Sequence, residues 1–299
     1  GTPDFVHIAN LFSASTIDQS MQSVAVNDVG GIKDNENNWN TEGHPHRIIN
    51  VSESELRLFA SLYDTPGTPF FQARLPAIHS VQVLKVLQKF ASPVARFGDL
   101  EGQFKFSIMW DENKAQKEYT IRRDVQFPKT PKELIMSGPH FFIGNPCYKS
   151  PRDPCVKNSD YDVIDITEMP SDYLPRTIFV PECSSAEYHR RTPSVPWDSS
   201  GDTKITDYYR LVSRAMLSQS GERTLTTAIM PKLSGHIDGG FSIAFQRAQL
   251  AMQILPSYYS LPMDFFVKTT GKGHFRNELA SLFPLLDLGR DAVLRGLML

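Results

Sequence analysis

The chain has 299 residues, of which 40% are hydrophobic and 21% are charged, so it can bury a core and we expect a folded globular protein. Its 31 basic and 33 acidic residues give a formal net charge of -2, which excludes a protein that binds polyanions through overall charge but allows a local basic surface. No apolar run approaches the roughly 18 residues of a membrane span, and no secretion signal is recognisable, so no membrane partner is expected. The three cysteines do not suggest a disulfide framework, and we expect a cytoplasmic protein.

The first 50 residues are predicted to form an N-terminal arm or linker, because 19–47 is rich in Asn, Asp, Gly and Ser and has little to bury. The rest, 51–299, is predicted to form one domain with a helical beginning. Ser52 and Glu55 fit a capping box at the start of a helix, and an amphipathic pattern predicts a second helix over 78–90. The absence of an initiating methionine and the abrupt end at Leu299 indicate a piece of a longer protein.

After residue 102 the pattern changes to short extended runs that are broken by proline and glycine. Strands are predicted at 119–122, 140–143, 163–166 and 177–180, a helix at 206–219, paired strands at 225–230 and 241–245, and helices at 248–255 and 258–268. This order predicts an α+β fold with a mixed sheet, long loops and packed helices, since strands and helices do not alternate regularly.

Two groups of residues could support catalysis within the chain itself. Asn145-Pro146-Cys147-Tyr148 resembles the Asn-Pro-Pro-aromatic motif of amino-methyltransferases, in which Asn accepts a hydrogen bond from the target amino group and the ring stacks on a flipped base. Cys147 stands where that motif has a second proline, and no glycine-rich loop for S-adenosylmethionine precedes it. Carboxylates between Asp160 and Glu168 could instead hold a metal for phosphodiester hydrolysis. A self-contained methyltransferase or a metal-dependent nuclease therefore remains the alternative, although a strand ending in a turn and solvated loop edges are favoured.

Basic residues at predicted strand ends and loops are the candidates for contacts with DNA, because phosphates require exposed cations and base edges require side chains on a rigid support. The candidates are Arg122, Arg123, Lys149, Arg152, Lys157, Arg190, Arg191, Lys272 and Arg276. Within this set we assign phosphate contacts to Lys149, Lys157 and Lys272, and base contacts to Arg152 and to Arg190 or Arg191. No catalytic residue and no metal ligand is assigned. A protein-interaction scaffold is a further alternative, which would lack a positive groove.

The most specific pattern is the order of segments in the C-terminal half. Glu222-Arg223-Thr224-Leu225 begins an apolar run that ends at Pro231, and it is followed by Phe241-Ser242-Ile243-Ala244-Phe245, by Leu261-Pro262-Met263-Asp264 and by Leu282-Phe283-Pro284-Leu285. This order, together with the stretch around Gly144-Asn145-Pro146, resembles the target-recognition region of large adenine-specific restriction-modification methyltransferases, including fused Type IIG enzymes and phage-defence methyltransferases. The resemblance extends over about 53–285.

This resemblance implies a domain that recognises a sequence in double-stranded DNA and presents it to a methyltransferase domain of the same parent chain. It implies no cofactor in this segment, and it places S-adenosylmethionine in the parent. Because the net charge is close to neutral, we expect the segment alone to bind DNA weakly, with the catalytic half supplying part of the phosphate neutralisation.

Overall fold

The computed structural model describes residues 2–24, 27–91, 95–157 and 159–285. In these ranges the α-helices are α1 (Ser15–Gln22), α2 (Glu53–Tyr63), α3 (Val81–Phe90), α4 (Glu112–Lys117), α5 (Ser185–Arg191), α6 (Ala248–Tyr259), α7 (Leu261–Thr269) and α8 (Asn277–Ser281). The strands are β1 (Asp4–His7), β2 (Ile49–Ser52), β3 (Phe104–Ser107), β4 (Ile121–Gln126), β5 (Ile135–Met136), β6 (Lys149–Pro151), β7 (Tyr161–Val163), β8 (Thr177–Pro181), β9 (Arg210–Arg214), β10 (Thr227–Met230), β11 (Gly235–His236) and β12 (Gly240–Phe245). The predicted α+β class is confirmed. None of the helices in the described ranges has the length and apolar content that crossing a membrane requires.

The described residues divide into two compact units. The first unit runs to Phe97 and also includes Phe266–Gly271 and 281–285, and the second consists of Gly98–Phe265 and Lys272–Ala280. The sequence predicts a boundary at residue 50 between an N-terminal arm and a domain. The two compact units do not test that boundary, so it stays a prediction. The last part of the predicted domain 51–299, residues 286–299, lies outside the described residues.

In the first unit, β1 and β2 form an antiparallel pair that leads directly into α2. The predicted capping box is confirmed, because Ser52 Oγ accepts a hydrogen bond from the N–H of Ser54 at 3.2 Å and Glu55 accepts one from the N–H of Ser52 at 3.0 Å. These bonds satisfy N–H groups that the first turn of a helix leaves without partners. The helix predicted at 78–90 is α3, which begins three residues later.

The segment predicted as a loop, 19–47, begins inside α1, and its described residues after that helix, 23–24 and 27–47, are mostly irregular. Arg47 at its end is 1% exposed. Its guanidinium donates hydrogen bonds to the carbonyl oxygens of Glu42 at 2.8 Å and Asn10 at 2.9 Å. Burial of an arginine is costly unless its donors are paired, so these carbonyl contacts tie the loop to the preceding chain.

A four-stranded antiparallel sheet with the order β10-β9-β12-β3 forms the centre of the second unit. The helix predicted at 206–219 is wrong, because β9 occupies this region after a single short turn at Ile205–Asp207. The first four residues of β9 are all buried, so the strand shows no alternation of buried and exposed residues, and its apolar positions also fit a helical stripe. Strands at 225–230 and 241–245 are confirmed as β10 and β12, but each pairs with β9 and not with the other.

A second sheet in the same unit has the order β11-β5-β8-β4, with β11 parallel to β5 and the other pairs antiparallel. The strands predicted at 119–122 and 177–180 overlap β4 and β8, and the one predicted at 163–166 overlaps the end of β7, which pairs with β6. The strand predicted at 140–143 is wrong. A short 3-10 helix, Gly138–His140, stands at its start, and the N–H of Ser137 donates to His140 Nδ1 at 3.0 Å.

The predicted helices 248–255 and 258–268 correspond to α6 and α7. Asp264 in α7 is buried, and its Oδ1 accepts hydrogen bonds from the backbone N–H groups of Thr224 at 2.9 Å and Leu225 at 2.6 Å. Arg223 Nε lies 3.4 Å from the same oxygen. The segments Glu222-Arg223-Thr224-Leu225 and Leu261-Pro262-Met263-Asp264, which were noted in the sequence as separate motifs, are therefore joined by one carboxylate.

Replacing Asp264 with alanine should lower the free energy of unfolding by about 3 kcal/mol or more, because two buried N–H groups lose their acceptor and the largely buried Arg223 loses its ion-pair partner. Asp264→Asn retains an oxygen acceptor and should lose clearly less. Urea denaturation followed by circular dichroism measures both variants. A loss below about 1 kcal/mol for Asp264→Ala would show that this carboxylate does not hold the two segments.

Candidate functional site

The second unit contains an open cleft with a volume of about 810 Å³. Its lining includes five cationic side chains and two carboxylates, so its formal charge is +3 when His274 is neutral, against -2 for the whole chain. The cations are Arg123, Lys149, Lys157, Arg214 and Arg276, and the carboxylates are Glu112 and Asp238. Positive charge is thus concentrated in one concave part of a protein whose overall charge is slightly negative.

Backbone forms part of the cleft lining where Gly138 and Gly239 approach each other. A Cβ atom on Gly138 would lie 3.1 Å from the carbonyl oxygen of Gly239, which is closer than most real contacts, so a side chain here would push the two segments apart. The same carbonyl accepts a hydrogen bond from the N–H of Ala215 at 2.9 Å. The chain at Gly239 therefore contacts both the 3-10 helix at Gly138–His140 and Ala215, the residue that follows β9.

Four of the nine predicted DNA-contacting residues line this cleft: Arg123, Lys149, Lys157 and Arg276. Among the described residues, none of these four forms an ion pair with a carboxylate. No carboxylate is therefore in direct contact with these four cations, although Glu112 interacts electrostatically with Arg123, and Asp160 with Lys157.

The other five predicted residues are not part of the cleft lining, and every one of them is ion-paired. The pairs are Arg122–Asp124, Arg152–Asp162, Arg190–Glu187, Arg191–Glu187 and Lys272–Glu278. The pKa of Glu187 is lowered to about 2, chiefly because Arg190 and Arg191 donate hydrogen bonds to it. The charge of a cation in such a pair is partly offset by the carboxylate, which also repels a second anion.

Aromatic rings and carbonyl groups hold several of the unpaired cations in place. Lys149 Nζ lies 5.4 Å from the centre of the Tyr148 ring, and that ring stacks on Phe142 with 4.6 Å between centroids. Arg123 donates to the carbonyl of Cys155, and Arg276 donates to the carbonyl of Phe275 at 3.2 Å. Neutral partners position a charge without cancelling it.

Arg214 was not identified from the sequence, although it also lines the cleft. It is the last residue of β9, and its Nε donates a hydrogen bond to the carbonyl of Gly138 at 3.1 Å. Its side chain is partly buried, and this burial lowers its pKa. The sequence predicts a helix over 206–219, and that prediction is wrong. It therefore gives no indication that Arg214 stands at the end of a buried strand.

The residues considered for catalysis within the chain are engaged in local structure. Asn145 Oδ1 accepts a hydrogen bond from the N–H of Cys147 at 2.8 Å, which closes a turn. Asp160 accepts from the N–H groups of Val156 and Lys157 at 3.0 Å, and Asp165 accepts from Thr167. Within the described ranges, no group of three or more His, Cys, Asp or Glu side chains is placed to hold a metal ion.

The two carboxylates of the cleft are close neighbours in the structure. Glu112 is the first residue of α4, and its N–H donates to Asp238 Oδ1 at 3.4 Å. The pKa of Glu112 is raised, first by burial and then by the negative charge of Asp238. Ionisation of Glu112 therefore opposes folding.

Comparison of the chain with protein-family models gave no match, and comparison with curated proteins gave none either. What the cleft can bind must therefore be argued from its own chemistry.

The raised pKa of Glu112 predicts a pH-dependent contribution to stability. The folded state binds this proton more tightly than the unfolded state, so the free energy of unfolding falls as the pH rises from the ordinary glutamate pKa through the raised one. Glu112→Gln removes this fall, so the stability of the variant relative to the wild type should increase as the pH rises above the ordinary glutamate pKa. Urea denaturation at a series of pH values is the measurement.

Asp238→Asn provides the matched comparison, because it removes only the neighbouring charge and leaves the burial of Glu112 in place. It should therefore reduce the pH dependence without abolishing it. If the stability difference between Glu112→Gln and the wild type does not change with pH, Glu112 is not held in the environment described.

Proposed function

We propose that the chain is the sequence-specific DNA-recognition module of a restriction-modification DNA adenine methyltransferase, and that double-stranded DNA binds at the cleft of the second unit. The observation that carries the proposal is the separation of the predicted cations into an unpaired set inside the cleft and an ion-paired set outside it. Phosphate groups of DNA are bound by exposed cations whose charge is still available.

The charge distribution favours a polyanion over a small anion. A single phosphate is satisfied by two or three donors, whereas the cleft presents five cations from separate segments along a volume of about 810 Å³. Successive phosphates of a nucleic-acid backbone would each find a cation in such an arrangement. Glu112 and Asp238 favour a different group at their position in the cleft. A base amino group can donate a hydrogen bond to them, whereas a phosphate is repelled.

The segments that carry the resemblance to target-recognition regions fit this proposal as the framework of the module. Glu222-Arg223-Thr224-Leu225 and Leu261-Pro262-Met263-Asp264 are joined through Asp264, and none of these residues lines the cleft. In the proposal they stabilise the sheet that carries Arg214, and the variable contacts with DNA are made by other residues.

The chemical step belongs, in this proposal, to a methyltransferase domain of the same parent chain, which binds S-adenosylmethionine. The side chain of Asn145 closes a turn and the carboxylates around Asp160 are bound to local N–H groups, so catalysis within this chain has less support. We propose the cytoplasm as the compartment.

Binding of short duplex DNA at increasing salt concentration tests the proposal. Wild-type protein should bind weakly and with a strong salt dependence, and the double variant Lys149→Ala with Lys157→Ala should lose about tenfold in affinity at low salt. The slope of the logarithm of the binding constant against the logarithm of salt concentration should fall by about 2, one for each phosphate contact removed.

A matched double variant, Arg122→Ala with Arg190→Ala, removes the same net charge from ion-paired positions. It should lose clearly less affinity and keep the wild-type salt slope. Equal losses in the two double variants would show that binding follows net charge and not the cleft. Absence of salt-dependent DNA binding by the wild type would overturn the proposal.

A further inference from the structure

Arg214 differs from the other cleft cations in how firmly the fold holds its backbone and side chain in place. Its backbone belongs to β9, which pairs with β12 on one side and with β10 on the other. The N–H of Arg214 donates to the carbonyl of Thr226 at 2.9 Å, and Arg214 stands opposite Gly240 in the ladder. The residue is thus fixed at the end of an inner strand of a four-stranded sheet.

Its side chain is fixed as well. The hydrogen bond from Nε to the carbonyl of Gly138 sets the plane of the guanidinium group, and partial burial limits its other rotamers. Among the described residues, neither Nη nitrogen of Arg214 has a hydrogen-bond partner. Because Arg214 lines the cleft, the four N–H donors of its Nη nitrogens can bind a ligand there. Tyr148 is the neighbour that interacts electrostatically with this guanidinium.

We propose that Arg214 reads a guanine base in the major groove by donating two parallel hydrogen bonds from its Nη nitrogens to the O6 and N7 atoms of the base. This assignment rests on the proposed function and extends it from DNA binding to one specific base contact. A bidentate arginine is the commonest specific partner of guanine, and the contact requires a donor pair whose position and plane are fixed in advance.

The remaining cations suit phosphate contacts. Lys149 and Lys157 carry compact ammonium groups on long flexible stems, so their donors are not held in a fixed plane before a ligand binds. One Nη nitrogen of the exposed Arg123 guanidinium donates to the carbonyl of Cys155. Its two Nη nitrogens are therefore not both available to a base. Arg276 likewise uses one Nη nitrogen, for the carbonyl of Phe275. Of the three cleft arginines, only Arg214 anchors itself through Nε and keeps both Nη nitrogens for a ligand.

Selection from a pool of duplexes with a randomised core, at about 50 mM salt where phosphate contacts are strong, tests the assignment. Wild-type protein should enrich a sequence with guanine at one position at least. Arg214→Lys keeps the charge but loses the paired donors, and its preference for guanine at that position should fall about tenfold or more. Its affinity for unselected duplexes and its salt slope should stay within about twofold of the wild type. Arg247→Lys, an exposed arginine of the same unit outside the cleft, is the control and should enrich the wild-type sequence.

A second measurement avoids any change to the protein. The enriched duplex is synthesised with 7-deazaguanine at the selected position, which removes the N7 acceptor and leaves Watson-Crick pairing intact. Wild-type protein should bind this duplex about tenfold more weakly, whereas Arg214→Ala, which has no donor at this position, should bind the two duplexes equally.

The outcomes separate this assignment from the proposed function. Sequence-selective binding that survives both Arg214→Lys and 7-deazaguanine would overturn the role of Arg214 and leave the DNA-binding module intact. Salt-dependent binding with no enriched sequence would overturn the base contact as well. Failure of the wild type to bind any duplex would overturn the proposed function and this assignment with it.

Discussion

The pairing state of the cations is the constraint on which the functional interpretation depends. An arginine or lysine that already contacts a carboxylate contributes less to the binding of a second anion, because the carboxylate offsets its charge and repels the incoming anion. Of the nine cations predicted to contact DNA, the five that are ion-paired lie outside the cleft, and the four that form no ion pair among the described residues line it. A net charge of -2 is therefore compatible with a strongly cationic concave surface.

β9 contributes its last residue to the cleft, and the arginines at its two ends have different roles. Arg210 is 1% exposed, and its guanidinium donates to the carbonyl groups of Pro231 and Ser234, while burial lowers its pKa to about 10. These contacts bind the 231–234 loop to the sheet and use the charge structurally. At the other end Arg214 is only partly buried, and it makes one anchoring bond. Two residues of the same type on one strand are thus separated in function by their burial and by the acceptors available to them.

Local signals in the sequence predicted a substantial part of the fold. The capping box at Ser52, the helix that follows it and the strands β8, β10 and β12 depend on neighbouring residues, and they are found where the sequence indicates. The wrong helix at 206–219 and the wrong strand at 140–143 depend on tertiary structure. An inner strand that is buried on both faces carries no alternating pattern, and Ser137 with His140 closes a turn that breaks an otherwise apolar run.

The candidate site was predictable by residue type but not by arrangement. Exposed basic residues could be identified, whereas the ion pairs depend on which segments meet. Arg152 reaches Asp162 because β6 pairs with β7, a contact that the sequence alone does not specify. The pairs of Glu187 with Arg190 and Arg191 follow from helical spacing, but they become visible only when α5 is recognised. Arg214 required the correct assignment of β9.

The central claim is that DNA is bound by the unpaired cations of the cleft. Acetylation of lysines with and without saturating duplex DNA, followed by mass spectrometry, tests it on the wild-type protein. The account predicts that Lys149 and Lys157 become protected by DNA while Lys114 and Lys117, which lie on the exposed face of α4 outside the cleft lining, react as before. Equal reactivity of Lys149 and Lys157 in the free and DNA-bound protein would contradict it.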